Sequence, residues 1–329
     1  MKSLVVLNDC MLSDQQKKLL TSKFEESYFY TDTLNETLAI KRAKNCNIIV
    51  MDQFMWAISE NFFIKCKKLE LIVLNTTAYD RIPLDLLKKY KVRLVNLKSY
   101  ATHDVADLAI SMMMSLNSNL DTARSSALHV NFKTSTYSQN ELTRDIWPGH
   151  TIIPSLERIP LNRQVAGVIG LGKIGKEIAG RCRSLGIKVI GYNRTSTNVP
   201  GVKLMSLKDV MSESDIIFIA LKYEPNSMKG IISDKLLKSA KKNAILISIA
   251  TSELTNISYL LKNPDKFKGI GFDCYVTDEL IMLAKKKKEN VIITPHLGHQ
   301  SQAAYANLTN SIVATAIKFA ENKKVQAVT

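Results

Sequence analysis

Between Val165 and Gly180 a short apolar run ends in three spaced glycines, Gly170, Gly172 and Gly175, and a helical period follows at once. Each glycine has a separate physical use in holding a pyrophosphate. The first lets the chain turn sharply out of a strand, the second lets an anion approach the backbone, and the third lets the helix pack closely on the sheet. The helix start then offers N–H groups and a partial positive charge to the phosphates. Three glycines alone also mark ordinary tight turns. The strand before them and the helix after them make the spacing an expectation of a dinucleotide site, with Lys173 and Ile174 completing the cradle.

The next apolar run, residues 187–192, stops at Asn193, Arg194 and Thr195. An acidic residue at that strand end would accept the ribose hydroxyls and repel a 2′-phosphate. Here no acid stands at the strand end. Asn193 and Thr195 can donate hydrogen bonds, and Arg194 can hold a phosphate in its planar fork. The pattern favours NADP(H) over NAD(H). Arg194 read as a plain solvated loop charge is the alternative.

These residues need elements to position them. A chain of 329 residues suggests two domains with ample cores. Residues 4–7, 27–30, 47–51, 69–74 and 92–96 read as strands that alternate with helical periods, as a small parallel sheet requires. A long helical period spans 103–129, with Ala109, Met112, Met113 and Leu116 on one side. Those methionines suit either a partner subunit or a core. Residues 130–163 are polar and irregular, broken by Trp147, Pro148 and Gly149, and read as a surface connection. From 165 to 294 a second alternation gives six strands, enough for a doubly wound sheet. The last helical period, 300–320, has no strand of its own and is expected to return to the first domain.

Composition narrows the function classes. The net charge is +15, but the lysines are spread along the chain, and the dense run Lys285 to Lys288 reads as a solvated helix end. With no aromatic interleaving, nucleic acid is not an expected partner. No apolar stretch reaches the roughly 18 residues of a membrane helix, and residues 1–9 read as a first strand rather than a leader. Five scattered cysteines (10, 46, 66, 182 and 274), in no CxxC spacing, point to a reducing, cytoplasmic setting without metal or disulfides.

With these residues in hand, the chain resembles the D-isomer-specific 2-hydroxyacid dehydrogenase family over most of its length. The likeness rests on an ordered set: Val95-Asn96, residues 101–109 from Ala101 to Ala109, residues 168–175, Ser214-Asp215-Ile216, residues 244–247, Gly271 to Tyr275, and Thr294 to Gly298. The resemblance implies an α/β fold of two Rossmann-like domains, each with a doubly wound parallel sheet. The substrate domain is discontinuous, flavodoxin-like and built from residues 1–100 and 296–329, and the dinucleotide-binding domain covers 101–295. It also implies a homodimer formed through the 103–129 helix and a small hydroxy or carbonyl substrate. The family mechanism uses a histidine as proton donor, a carboxylate that orients it, and an arginine that clamps a 2-oxo acid. Hydride attack on a carbonyl leaves an alkoxide, which needs a proton donor working near neutral pH.

His296 matches the family histidine. The carboxylate position falls on Asp278, one methylene short of a glutamate, with Glu279 beside it as the alternative. Family matching places Leu221, Ile249, Asp273 and Gly298 along the cofactor path, and Thr77, Tyr100, Lys222 and Thr251 in the substrate pocket. The arginine itself is absent: Thr251 stands in its place. Residues 76–80 lack the usual glycines, and Ala220 to Tyr223 replace a His-x-Pro-Leu segment. Lys222, Lys98, Arg81 and His299 are candidate replacement cations. The cofactor half is therefore intact and the substrate half rewritten. The expectation is a divergent NAD(P)H-dependent oxidoreductase, NADP favoured, for an atypical 2-oxo acid or a carbonyl lacking the usual carboxylate clamp, with His296 as general acid and base. The rival reading is a catalytically inactive, nucleotide-binding regulatory or scaffold protein of the same fold.

Overall fold

A computed structural model describes residues 2–8, 12–53, 56–128, 158–195, 197–287 and 290–328. The expected surface connection lies outside the described residues as far as 157, as do Cys10, His129 and Lys288. The chain forms two compact units, one of Met1–Ala101 with Gln300–Thr329 and one of Thr102–His299.

The first unit alternates β1 (Ser3–Val6), α1 (Asp14–Thr21), β2 (Glu26–Phe29), α2 (Glu36–Ala43), β3 (Ile48–Met51), α3 (Glu60–Lys65), β4 (Leu71–Leu74), α4 (Leu84–Lys89) and β5 (Arg93–Asn96). The strands pair in parallel in the order β2-β1-β3-β4-β5. Strands such as Ile48–Met51 and Leu71–Leu74 are apolar at every position because both faces are covered. Ala39, Ala43, Phe62, Phe63 and Leu87 cover one face. Leu20 of α1 and Leu308, Ile312, Ala316 and Phe319 of the last helix, Gln302–Ala320, cover the other. Ser13 opens α1 with a capping box: its hydroxyl accepts from Gln16 N at 3.2 Å, and its own N–H donates to Gln16 Oε1 at 2.9 Å.

The second unit holds α5 (Thr102–Ser118), α6 (Leu120–Leu128), β6 (Val165–Ile169), α7 (Lys173–Ser184), β7 (Lys188–Tyr192), β8 (Val202–Leu204), α8 (Leu207–Glu213), β9 (Ile216–Ile219), α9 (Pro225–Met228), α10 (Asp234–Ser239), β10 (Ile245–Ser248), α11 (Ile257–Lys262), β11 (Gly269–Cys274), α12 (Asp278–Lys287) and β12 (Val291–Pro295). All its strands are parallel, in the order β12-β11-β10-β9-β6-β7-β8. This is a doubly wound α/β sheet that reverses direction at β6. Ligands in such sheets bind outside the carboxyl ends of the strands at that reversal.

The structure departs from two sequence expectations. Among the described residues the sheet has seven strands rather than six. The extra one, β8, is a three-residue edge strand with two exposed side chains, too short to show a period. The 103–129 helix is two helices. Asn119 adopts φ 48° between them, a left-handed conformation that asparagine tolerates and that ends α5. Met112 and Met113 are buried against Ala166, Ile178 and Ile216, so they serve the core. Among the described residues no helix is long and apolar enough to cross a membrane.

Candidate active site at the carboxyl edge of the second sheet

The residues expected to do chemistry in the second unit gather at one sheet edge. The glycine loop follows β6, Arg194 follows β7, Lys222 and Glu224 follow β9, Thr251 follows β10, Tyr275 follows β11, and His296 follows β12. Parallel pairing of neighbouring strands puts all six loops on that edge. Thr77 and Tyr100 follow β4 and β5 of the first unit. There the Thr77 hydroxyl donates to Leu97 O at 2.7 Å, and Tyr100 packs against that unit's core.

The glycine turn has the shape a dinucleotide needs. Gly170 sits at φ 98°, and a Cβ there would lie 2.7 Å from Ala220 O. A Cβ on Gly175 would lie 1.9 Å from Gly170 O, so only glycine lets α7 approach β6 this closely. Gly172 is different: a Cβ there meets nothing within 4 Å. It caps α7 without any side-chain hydrogen bond to the first-turn amides. An open face against uncapped helix amides fits a pyrophosphate. Lys173 is exposed and Ile174 partly buried beside it.

Past β7, Asn193 supports that turn directly. Its Oδ1 accepts from Leu171 N at 3.0 Å, and its Nδ2 donates to Thr195 O at 2.9 Å. Arg194 is engaged as well: its two terminal nitrogens donate to the two carboxylate oxygens of Glu224, each at 3.0 Å. Sequence reasoning missed Glu224, because 30 residues separate the partners and no local pattern joins them.

Asp273 is the centre of the His296 loop. Its carboxylate, 3% exposed, accepts from Thr294 Oγ1 at 2.6 Å, Leu297 N at 2.6 Å and Gly298 N at 2.9 Å. A buried carboxylate is tolerated only with such partners, and charge-assisted bonds are the strong ones. The bonds fall on both sides of His296 and hold it at φ 53°. Non-glycine residues there cost about 1–3 kcal/mol, and such strain gathers at functional sites. A side chain at position 298 would press on Asp273 Oδ2, which explains Gly298. Asp273 and Gly298, which family matching puts on the cofactor path, bond to each other at the histidine loop. The His296 ring is exposed, with Tyr275 stacked at 5.1 Å and His299 at 4.7 Å.

The remaining positions resolve plainly. Glu279 is turned back on its own helix: hydrogen bonds from its backbone N–H and from Thr277 hold its carboxyl below the usual range. Asp278 is exposed at the start of α12. Thr251, which family matching puts at the arginine position, donates its hydroxyl to Glu253 Oε2 at 2.9 Å. Leu221 packs on one core of the unit and Ile249 on the other. Lys222 is exposed. Lys287 is more than a solvated helix end, since its ammonium donates to Pro264 O and Phe267 O. The four described cysteines are buried, and burial pushes Cys66 and Cys182 up to about 12.

Comparison with known proteins agrees with this geometry. A family model described as "D-isomer specific 2-hydroxyacid dehydrogenase, NAD binding domain" matches residues 125–298. A glyoxylate reductase of Pyrococcus horikoshii is 24% identical over 312 residues, covering 92% of this chain and 88% of that protein. A glycerate dehydrogenase of Methylorubrum extorquens is 26% identical over 260 residues, covering 78% of this chain and 77% of that one. Among solved structures, an acyclic imino acid reductase in complex with NADPH and D-arginine superposes with a TM-score of 0.82 at 22% identity. It covers 99% of this chain and 100% of that one. The D-lactate dehydrogenase of Aquifex aeolicus, complexed with NAD and lactic acid, gives 0.77 at 20% identity, covering 97% and 96%. A doubly wound unit with a dinucleotide-shaped glycine turn, together with a family match over more than half its length, makes this chain a member of the D-isomer-specific 2-hydroxyacid dehydrogenase family.

Proposed function

We propose that the chain is an NADP-preferring oxidoreductase for a small carbonyl or hydroxy compound, and that its substrate lacks the carboxylate an arginine would clamp. Bound along the carboxyl edge, the nicotinamide would supply or accept the hydride. Gly170, Gly172, Lys173, Ile174 and Gly175 hold the pyrophosphate. Arg194, steadied by the Asn193–Thr195 turn, takes the 2′-phosphate. His296 passes a proton to or from the substrate oxygen. Asp278, or Glu279 beside it, is its carboxylate partner.

One observation carries the substrate reading: the Thr251–Glu253 pair. A guanidinium forks onto a carboxylate, whereas Thr251 carries no charge and its hydroxyl is already given to Glu253. Losing one partner of a buried charge pair costs about 2–5 kcal/mol, so ordinary 2-oxo acids bind poorly. The test is NADPH consumption against 2-oxo acids, neutral ketones, aldehydes and imino acids. Turnover of neutral carbonyls well above 2-oxo acids supports the reading, and a strong preference for 2-oxo acids defeats it. The same Thr251 favours the rival inactive protein, in which His296→Ala behaves as the parent in every assay. Exposed Met114, Leu120 and Ile159 on the second unit suit a homodimer, which sedimentation tests.

A further inference from the structure

The loops after β7 and β9 flank the glycine turn, because β6 lies between those two strands in the sheet. Arg194 comes from one loop and Glu224 from the other. Their side chains meet fork to fork, with two hydrogen bonds of 3.0 Å. The Ser227 hydroxyl donates to the same carboxylate at 3.3 Å, which fixes its direction. The pair thus ties together the two loops on either side of the pyrophosphate cradle. It lies at the strand end where a ribose is read in folds of this kind.

We propose that Glu224 determines the choice between NADPH and NADH, its carboxylate competing with the 2′-phosphate for the Arg194 fork. This rests on the reading that Arg194 takes the 2′-phosphate. Both side chains are largely exposed, 65% for Arg194 and 41% for Glu224, so a phosphate can reach the fork from solvent. An exposed ion pair is weak enough to be displaced, while a phosphate offers the guanidinium the same two-pronged geometry with more charge. With NADH nothing displaces the carboxylate, and it remains as the acid that β7 itself lacks. One position then disfavours the phosphorylated cofactor and supports the other.

The test is calorimetric binding of NADPH and NADH, without substrate, to the parent, Glu224→Gln and Arg194→Gln. Glu224→Gln is expected to tighten NADPH by roughly fivefold, the order set by releasing one exposed ion pair, and to leave NADH equal or weaker. Arg194→Gln is expected to weaken NADPH by at least tenfold. An unchanged NADPH-to-NADH ratio in Glu224→Gln, with NADPH still weakened in Arg194→Gln, overturns the role of Glu224 alone. Unchanged NADPH affinity in Arg194→Gln overturns both this role and the 2′-phosphate reading beneath it.

Discussion

Asp273 shows how one buried side chain can organise a loop at the sheet edge. It accepts three hydrogen bonds from the loop that carries His296, and it does so while buried. Asp273→Asn replaces an acceptor oxygen with an N–H that faces donors. We expect a loss of about 1–3 kcal/mol in chemical unfolding, together with lower turnover at unchanged NADPH affinity. Thr251→Arg is the complementary test: it should raise kcat/KM for a 2-oxo acid by at least tenfold, as restoring a charged clamp predicts. The three glycines were legible in the sequence because a phosphate-cradling turn depends on residue type and short spacing, whereas His296 stood out only through its place in the family resemblance. The bonds from Asp273 across to Leu297 and Gly298, and the Arg194–Glu224 pair, were not legible. They join residues more than 20 apart, through strands whose order the sequence does not display.

At the scale of elements, α7 and the turn before it separate folding from binding. Gly175→Ala places a carbon against the Gly170 carbonyl, and we expect destabilisation of about 2 kcal/mol or more in a thermal melt. Gly172→Ala meets no protein atom, so the melt should stay near the parent while dinucleotide affinity falls about tenfold. The start of α12 is expected to respond to pH. Its Glu279 carboxyl is held below its ordinary value of 4.5, so its contribution is present above that value and lost as pH falls through the lowered one. Hydrogen exchange should show the first-turn amides of α12 protected at pH 5 and opening below 4.5. Helix existence was legible throughout. The break at Asn119 was not, because a single left-handed residue barely disturbs the 3.6-residue period, and β8 was too short to have one.

Across the whole molecule, the alternation of strand and helix foretold both sheets, since parallel strands buried on two faces read as continuous apolar runs. The return of the last helix to the first unit was legible from the lack of a strand after it. Of the five cysteines, four are buried with thiols pushed up to about 11 or 12, so no more than one should titrate with a thiol reagent until denaturant is added. In the proposed reaction an imidazole and a dinucleotide act together across one sheet edge. The most direct test is single-turnover oxidation of bound NADPH by the best neutral carbonyl, in the parent and in His296→Gln. A rate lowered by about a hundredfold or more is expected in the variant, with NADPH still bound as tightly. Equal rates in the two proteins would contradict it.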